Sequence, residues 1–251
     1  MIKILLVGAN GKMGRVIAEC VKNREGCEIA CGVDKADVSA QFPVYTDIAD
    51  VKETVDVIID FSHPSALDDI LNFASAKNIP TVLATTGYND SEIEKINSAS
   101  KRIPIFFTYN MSIGVNLIAD LAKRAAAILA DDFDIEIVEA HHNQKIDAPS
   151  GTAMMLYDAV TSPLDDGYYP EYDRHSHRKK REKKEVGMHA IRGGTIVGEH
   201  EVIFAGRDEI IKLSHSARSK EIFATGAVNA AMFMCGKDAG LYNMSDLVSS
   251  K

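Results

Sequence analysis

The sequence predicts an α/β protein in two parts: an N-terminal parallel sheet covered by helices, then an α+β domain carrying a mixed or antiparallel open sheet. Three observations lead there. Up to Asn110, apolar β-rich runs alternate with helical patterns, as in a parallel sheet with helices on both faces. Beyond Asn110 a long helical pattern leads into closely spaced strand-like runs joined by short turns, the texture of a second domain. The chain has 251 residues, 46% hydrophobic and 25% charged, which suffices for one large core or two modest ones.

The elements follow in order. "IKILLVG" (2–8) is far shorter than the roughly 20 residues of a membrane span and reads as a buried strand. After it come a helix over 12–23, the strand "EIACGVD" and the strand "VDVIIDF". A helix over 64–76, the strand "IPTVLATTG", a helix over 90–101 and the strand "IPIFFTYN" complete the series. The strand ends carry polar or glycine-containing stretches: Gly8 to Gly14, Asp34-Lys35, "FSHP" (61–64), "TTG" (85–87) and "TYN" (108–110). In open α/β sheets such carboxyl ends form the ligand crevice. Next comes a helix over 113–130, then "FDIEIVEAHH", where Ile135, Ile137 and Glu139 alternate with Glu136, Val138 and Ala140 at strand period. Runs at 186–193, 195–205 and 209–216 read as an antiparallel meander turning at "RGG" and "GRDE". The apolar helical pattern over 221–236 is expected to dock back on the first part. The expected domains are 1–112, completed by 221–251, and 113–220.

A net charge of −8 gives no global reason to expect nucleic acid. The basic run "RKKREKK" (178–184) reads as a solvated loop. Cys20, Cys27, Cys31 and Cys235 form neither a CxxC pair nor a zinc spacing, and no cationic leader precedes an apolar stretch. Reduced thiols, a cytoplasmic setting and no membrane partner are therefore expected.

"GANGKMG" (8–14) sits between a strand and a helix, the context in which a glycine pattern means dinucleotide binding and a Rossmann-type domain. Gly8 suits a tight turn, Gly11 a close pyrophosphate, and Gly14 close helix packing. Asn10 departs from the usual glycine, and asparagine tolerates positive φ. Asp34, about 20 residues on, suits a ribose hydroxyl and hence NAD. Its neighbour Lys35 suits a 2′-phosphate and hence NADP. The residues leave NADH and NADPH both open.

"EAHHNQKIDAPSGTA" (139–153) gathers His141, His142 and Lys145 beside a helix start. Pro149 precedes Ser150 as N-cap, and the N–H groups of Gly151 and Thr152 with the Thr152 hydroxyl make a carboxylate-sized anion site. Histidine titrates near pH 6.5 and lysine can donate a proton, so the stretch combines anion binding with proton transfer. Adjacent histidines on a strand diverge, which argues against a metal formed with Asp147; no metal is expected.

This element, with "GANGKMG", "IDFSHP", "ATTG" and "YNMSIGVN", resembles the dihydrodipicolinate reductase family, also called 4-hydroxy-tetrahydrodipicolinate reductase, of the diaminopimelate/lysine pathway. The resemblance covers nearly the whole chain in order. It implies NAD(P)H-dependent reduction of a small cyclic dicarboxylate, with His141 and Lys145 as catalytic proton carriers. His142, Ser150, Gly151 and Thr152 would hold the substrate. Cofactor contacts are implied at Gly8, Ala9, Asn10, Gly11, Lys12 and Met13, at Asp34, at Ala84, Thr85 and Thr86, and at Thr108, Tyr109, Asn110 and Met111; Lys35 joins them on its charge. The second domain would also build a homotetramer. Three features depart from the family pattern: Asn10, Ala84 where glycine is common, and the basic 174–184 segment. A homoserine- or aspartate-semialdehyde-type dehydrogenase, or a dinucleotide-sensing regulator, would share the first domain without needing the His-His-Lys-PSGT arrangement.

Overall fold

The computed structural model describes residues 1–36 and 41–250; Lys251, the end of the expected return segment, lies outside them. Two compact units emerge, Met1–Ile113 with Glu221–Lys251, and Gly114–Lys220. The first unit begins with β1 (Ile2–Val7), α1 (Lys12–Lys22), β2 (Cys27–Val33), β3 (Val44–Tyr45) and β4 (Val57–Asp60). It continues with α2 (Leu67–Lys77), β5 (Thr81–Leu83), α3 (Asp90–Ser100) and β6 (Pro104–Phe107). Successive side chains of a strand point to opposite faces. Thus Ile4 and Leu6 of β1 enter one core while Leu5 and Val7 enter another, and both faces need helices. The predicted helix over 64–76 starts later, at Leu67, because Pro64–Ala66 forms a separate 3-10 turn capped by the His63 side chain on the Ser65 N–H.

The second unit holds α4 (Ile113–Leu129, its first residue counted in the first unit), β7 (Asp134–His141), α5 (Gly151–Thr161) and β8 (Tyr169–Glu171). β9 (Glu185–Arg192), β10 (Gly198–Ala205) and β11 (Ile210–Ala217) follow. The five strands lie in the order β11-β10-β7-β9-β8. β10 is antiparallel to β7 and β11, and β9 is parallel to β7 and β8. The sheet is therefore mixed, and the expected meander is corrected: only β10 and β11 form a hairpin, and β7 lies between β9 and β10. The glycine turn carries the chain across the end of β7, with Gly193 N–H donating to the His141 carbonyl and Gly194 carbonyl accepting from Asn143 N–H. Gly194 has φ +49°, a conformation that side chains resist.

One face of this sheet packs Ile135, Ile137, Val186, Met188, Val202 and Phe204 with residues of α4 and α5. The basic run (178–184) is a largely exposed loop, as expected, with Arg181 the exception. Arg181 donates to Asp134, Glu136, the Ile135 carbonyl and the Glu185 carbonyl, and Arg174 pairs with the buried Glu185. These guanidiniums tie the segment to β7 and β9, although Arg178, Lys180 and Lys183 remain exposed.

The chain returns to the first unit with α6 (Glu221–Met234), β12 (Gly240–Tyr242) and α7 (Met244–Ser249). The first sheet then reads β12-β6-β5-β4-β1-β2-β3, parallel throughout. α6 covers one face with Ala224, Ala227, Val228, Ala231 and Met234, all fully buried. Its small residues allow close approach: a Cβ on Gly226 would lie 1.7 Å from the Met111 carbonyl oxygen.

Candidate active site

Because every strand of the first sheet runs the same way, the loops after β1, β2, β4, β5 and β6 share one edge. A cleft of about 730 Å³ opens there, lined by Gly8, Gly11, Asp34, Lys35, Asp47, Phe61, Ser62 and His63 among others. Gly8 turns with φ +81°, and a Cβ on it would press on the Phe61 carbonyl oxygen at 2.6 Å. A Cβ on Gly14 would sit 2.1 Å from the Gly8 carbonyl oxygen, so this residue lets α1 lie against the loop. Gly11 is the N-cap of α1.

Asn10 does not adopt positive φ. Its side chain donates to the Ala36 carbonyl at 2.7 Å, and its backbone N–H donates to the Asp34 carboxylate at 2.9 Å. Asp34 also accepts from Ala36 N–H. The acid expected to read a ribose therefore also braces the glycine loop.

The remaining cofactor candidates divide by placement. Lys12, Lys35, Thr86 and Tyr109 are exposed. Ala9, Ala84 and Met111 are buried and Met13 packs on the same core, which leaves their backbones as the groups able to meet a nucleotide. Thr108 Oγ1 donates to the Asn110 carbonyl. Thr85 is buried near Asp60, a fully buried carboxyl that accepts from Ser62 N–H, Ser62 Oγ and Tyr88 Oη. Burial raises the Asp60 pKa against the hydrogen bonds from Ser62 and Tyr88. This acid ties the loop after β4 to the loop after β5. Phe61, Ser62 and His63 stood in the noted "FSHP" stretch without being assigned a role.

In the second unit β7 ends at His141, and the chain then turns, with Lys145 N–H donating to the His142 carbonyl. His141 Nδ1 lies 2.6 Å from Glu139 Oε2. Glu139, 1% exposed, also accepts from both terminal nitrogens of Arg192 and from the Ser150 N–H. Burial would raise its pKa, but the hydrogen bonds from Arg192, His141 and Ser150 outweigh it and hold the carboxyl below the usual range. Arg192 also donates to the Asp147 carbonyl.

Ser150 caps α5 by accepting from Ala153 N–H, and its hydroxyl meets His200 Nε2 at 3.0 Å. Gly151 is exposed, with nothing within 4 Å of where a Cβ would stand; Thr152 follows it in the first turn. Helix starts of this kind favour anions. Lys145 pairs with Asp147 at 2.9 Å, a hydrogen bond that lowers the Asp147 pKa. His142 keeps a buried Nδ1 with no hydrogen-bond partner.

Sequence reasoning missed Glu139, Arg192, Gly198 and His200. Glu139 had a signal, since it shares a strand face with His141. Gly198 leaves space beside the ring nitrogen of His141 that Glu139 does not meet, where a Cβ would come within 3.2 Å of His141 Nε2. His200 packs its ring edge-on against His141 with centroids 5.1 Å apart. Among the described residues no group of three His, Cys, Asp or Glu is placed to hold a metal, and no helix is long and apolar enough to cross a membrane.

A glycine loop opening a parallel βαβ unit, with an acid-held histidine and an anion-ready helix start in a separate unit, defines a dinucleotide-dependent oxidoreductase. Similarity to known proteins sharpens the class. Residues 2–111 match the family description "Dihydrodipicolinate reductase, N-terminus" and 114–248 its C-terminus. The 4-hydroxy-tetrahydrodipicolinate reductase of Clostridium novyi (strain NT) is 48% identical over the full length of both chains. That of Caldanaerobacter subterraneus subsp. tengcongensis is 49% identical over 99% of this chain and 98% of its own. In fold the chain is similar to a dipicolinate-bound dihydrodipicolinate reductase from Paenisporosarcina sp. TG-14, with TM-score 0.82, 23% identity and 97% of each chain covered. The chain belongs to the dihydrodipicolinate reductase family, as its motifs led one to expect.

His200 makes the site's stability pH-sensitive. Burial, then the nearby His141 charge, push its pKa from 6.5 down to about 4. The folded value lies below the unfolded one, so as pH falls the unfolded chain takes up this proton first. Stability is lost between about pH 6.5 and 4, by up to about 3 kcal/mol. Urea melts at pH 7 and 5 should show a smaller acid loss for His200→Gln than for wild type; equal losses would remove His200 as the cause.

Proposed function

We propose that this chain reduces 4-hydroxy-tetrahydrodipicolinate, or the dihydrodipicolinate formed from it, to tetrahydrodipicolinate with NADH or NADPH, a step of diaminopimelate/lysine biosynthesis. The observation that carries the reading is the cluster of Glu139-held His141 and Lys145 beside the capped start of α5: a proton source set against an anion site has a use in reducing a dicarboxylate imine. The cleft at Gly8, Gly11 and Asp34 fits a dinucleotide, with the loop backbone and the α1 start facing a pyrophosphate. When bound, the reduced nicotinamide supplies the hydride.

The chain's own residues do the rest. Ser150, Gly151, Thr152 and His142 bind and orient substrate carboxylate; His141 Nε2 and Lys145 Nζ hold the proton that the reduced product takes up. A biosynthetic reduction of this kind, in a chain whose described helices include none long and apolar enough to cross a membrane, supports a cytoplasmic setting. We also assign a homotetramer to the second unit, because one face of its sheet has only partial cover, with Ile191 and Ile210 more than half exposed. Light scattering should give four chains; a monomer at micromolar concentration overturns the assignment.

Oxidation of NADH and NADPH in the presence of freshly formed dihydrodipicolinate tests the activity. His141→Ala and Lys145→Ala should lower kcat by about 10²- to 10⁴-fold, the usual loss for a positioned acid or base, with nucleotide binding intact. Thr152→Val should chiefly raise substrate KM. Near-normal turnover in both alanine variants removes the pair from catalysis.

Cofactor choice lies with Asp34 and Lys35, whose opposed charges support use of both nucleotides, with kcat/KM within about a hundredfold. Lys35→Ala should weaken NADPH selectively. Asp34→Ala should weaken both, through its bond to the glycine loop, and NADH more. If the NADH/NADPH ratio is the same in wild type and both variants, these side chains do not read the ribose.

A further inference from the structure

The Glu139 carboxylate is filled. Oε1 accepts from Ser150 N–H at 3.0 Å and Arg192 Nη2 at 2.7 Å; Oε2 accepts from Arg192 Nη1 at 2.7 Å and stands 2.6 Å from His141 Nδ1. An ionised carboxylate accepts only, at about four lone-pair positions. Nδ1 must therefore carry the hydrogen it shares with Glu139, and Nε2 is left as the nitrogen that exchanges protons. Gly198 keeps Nε2 unobstructed by a side-chain carbon of its own.

A buried acid paired with an imidazole alone would hold the imidazolium tightly and make it a poor donor. Arg192, in bidentate contact with the same carboxylate, offsets that field. The other titratable groups around the ring do not reproduce the effect. His200 on β10 faces the ring and is neutral through burial. His215 stands opposite His200 on β11, and burial lowers its pKa too. Lys145 and Asp147, in the loop after β7, pair with each other. His142 is the next residue along the chain.

We propose that Glu139 and Arg192 are positioning residues for the reaction: the acid fixes the proton on His141 Nδ1 and leaves Nε2 to exchange, and the guanidinium keeps that imidazole able to release its proton. The proposal rests on the reading of His141 as a proton carrier. Through the Ser150 N–H the same carboxylate also holds the α5 start, so the proton source and the anion cradle are held in register by one group.

A purely structural clasp would lose stability in either variant without moving the His141 titration in a chosen direction. The proposal demands opposite movements. Glu139→Gln removes the negative charge and leaves Arg192, so His141⁺ is disfavoured and its titration moves down. Arg192→Gln leaves the acid unbalanced, so His141⁺ is favoured and its titration moves up, in each case by the order of one to three pH units that a neighbouring charge produces.

The experiment uses the full chain labelled with ¹⁵N-histidine, the His141 signals being those lost in His141→Gln. Nitrogen chemical shifts across pH report tautomer and titration, and kcat/KM against pH is measured on the same samples with NADPH. NADPH binding by fluorescence serves as the fold control for the first unit. Expected are an Nδ1–H tautomer in wild type, loss of that fixed tautomer in Glu139→Gln with kcat lower by about 10²- to 10⁴-fold, and opposite titration shifts in the two variants. Arg192→Lys, which keeps the charge should Arg192→Gln fail to fold, should titrate near wild type. Titrations that do not move, or move the same way for Glu139→Gln and Arg192→Gln, overturn the proposal; for the lysine variant, a titration as high as an unbalanced acid would give does so. If the NMR titrations shift as stated while the kcat/KM profile follows neither, the failure lies with His141 as the proton carrier.

Discussion

A carboxylate with almost no solvent contact is tolerable only if its charge and lone pairs are met by the protein, and Glu139 meets that condition in a way that organises the whole second unit. Its partners come from β7 itself, from the end of β9 and from the first residue before α5. Each of these elements is needed for another reason: β7 is the central strand, β9 flanks it, and α5 covers the sheet. The acid makes their ends converge. The glycine turn after Arg192 crosses the same strand end and bonds to the His141 carbonyl, so backbone and side chain fix the imidazole together.

The first unit solves a different problem. A parallel sheet brings its loops to one edge without any special residue, but leaves them as separate strips of chain. Polar bonds then join them: Asn10 to Ala36 and Asp34 link the loops after β1 and β2, and Asp60 with Ser62 and Tyr88 links those after β4 and β5. Buried Asp60 sits at a strand's end, where an apolar residue would pack as well but tie nothing.

What could be read from the chain was set by range. The alternation of strands and helices, the glycine loop and the cap at Ser150 are local patterns, and they stand close to where periodicity placed them. Pairings between distant segments left weaker traces. β7 enters between β9 and β10 because a strand's neighbours are chosen by register and face, not by order in the chain. Arg192 and Arg181 looked like turn and loop cations because nothing local marks the acids, some fifty residues earlier, that they meet. Asn10 is instructive: its residue type suggested a backbone conformation, whereas its use is a side-chain bond across to Ala36. Glu139 was the exception in kind, since strand period alone put it beside His141.

The return of α6 has a consequence for how the protein is made. The second unit is continuous in sequence, 114–220, whereas the first needs α6 and α7, from the last thirty or so residues, to cover the face formed by Ile4, Leu6, Val57, Ile59, Val82 and Phe106, and β12 to complete its sheet. During synthesis the earlier sheet must wait with that face open, and the later unit is the one able to close first. Domains generally fold as units and N-terminal ones lead; here the topology delays completion of the N-terminal unit until the residues from Glu221 onward have been made. The waiting sheet is the stretch of this protein that most needs shielding on the ribosome, and a chain truncated before Glu221 would keep a complete second unit beside an unfinished first.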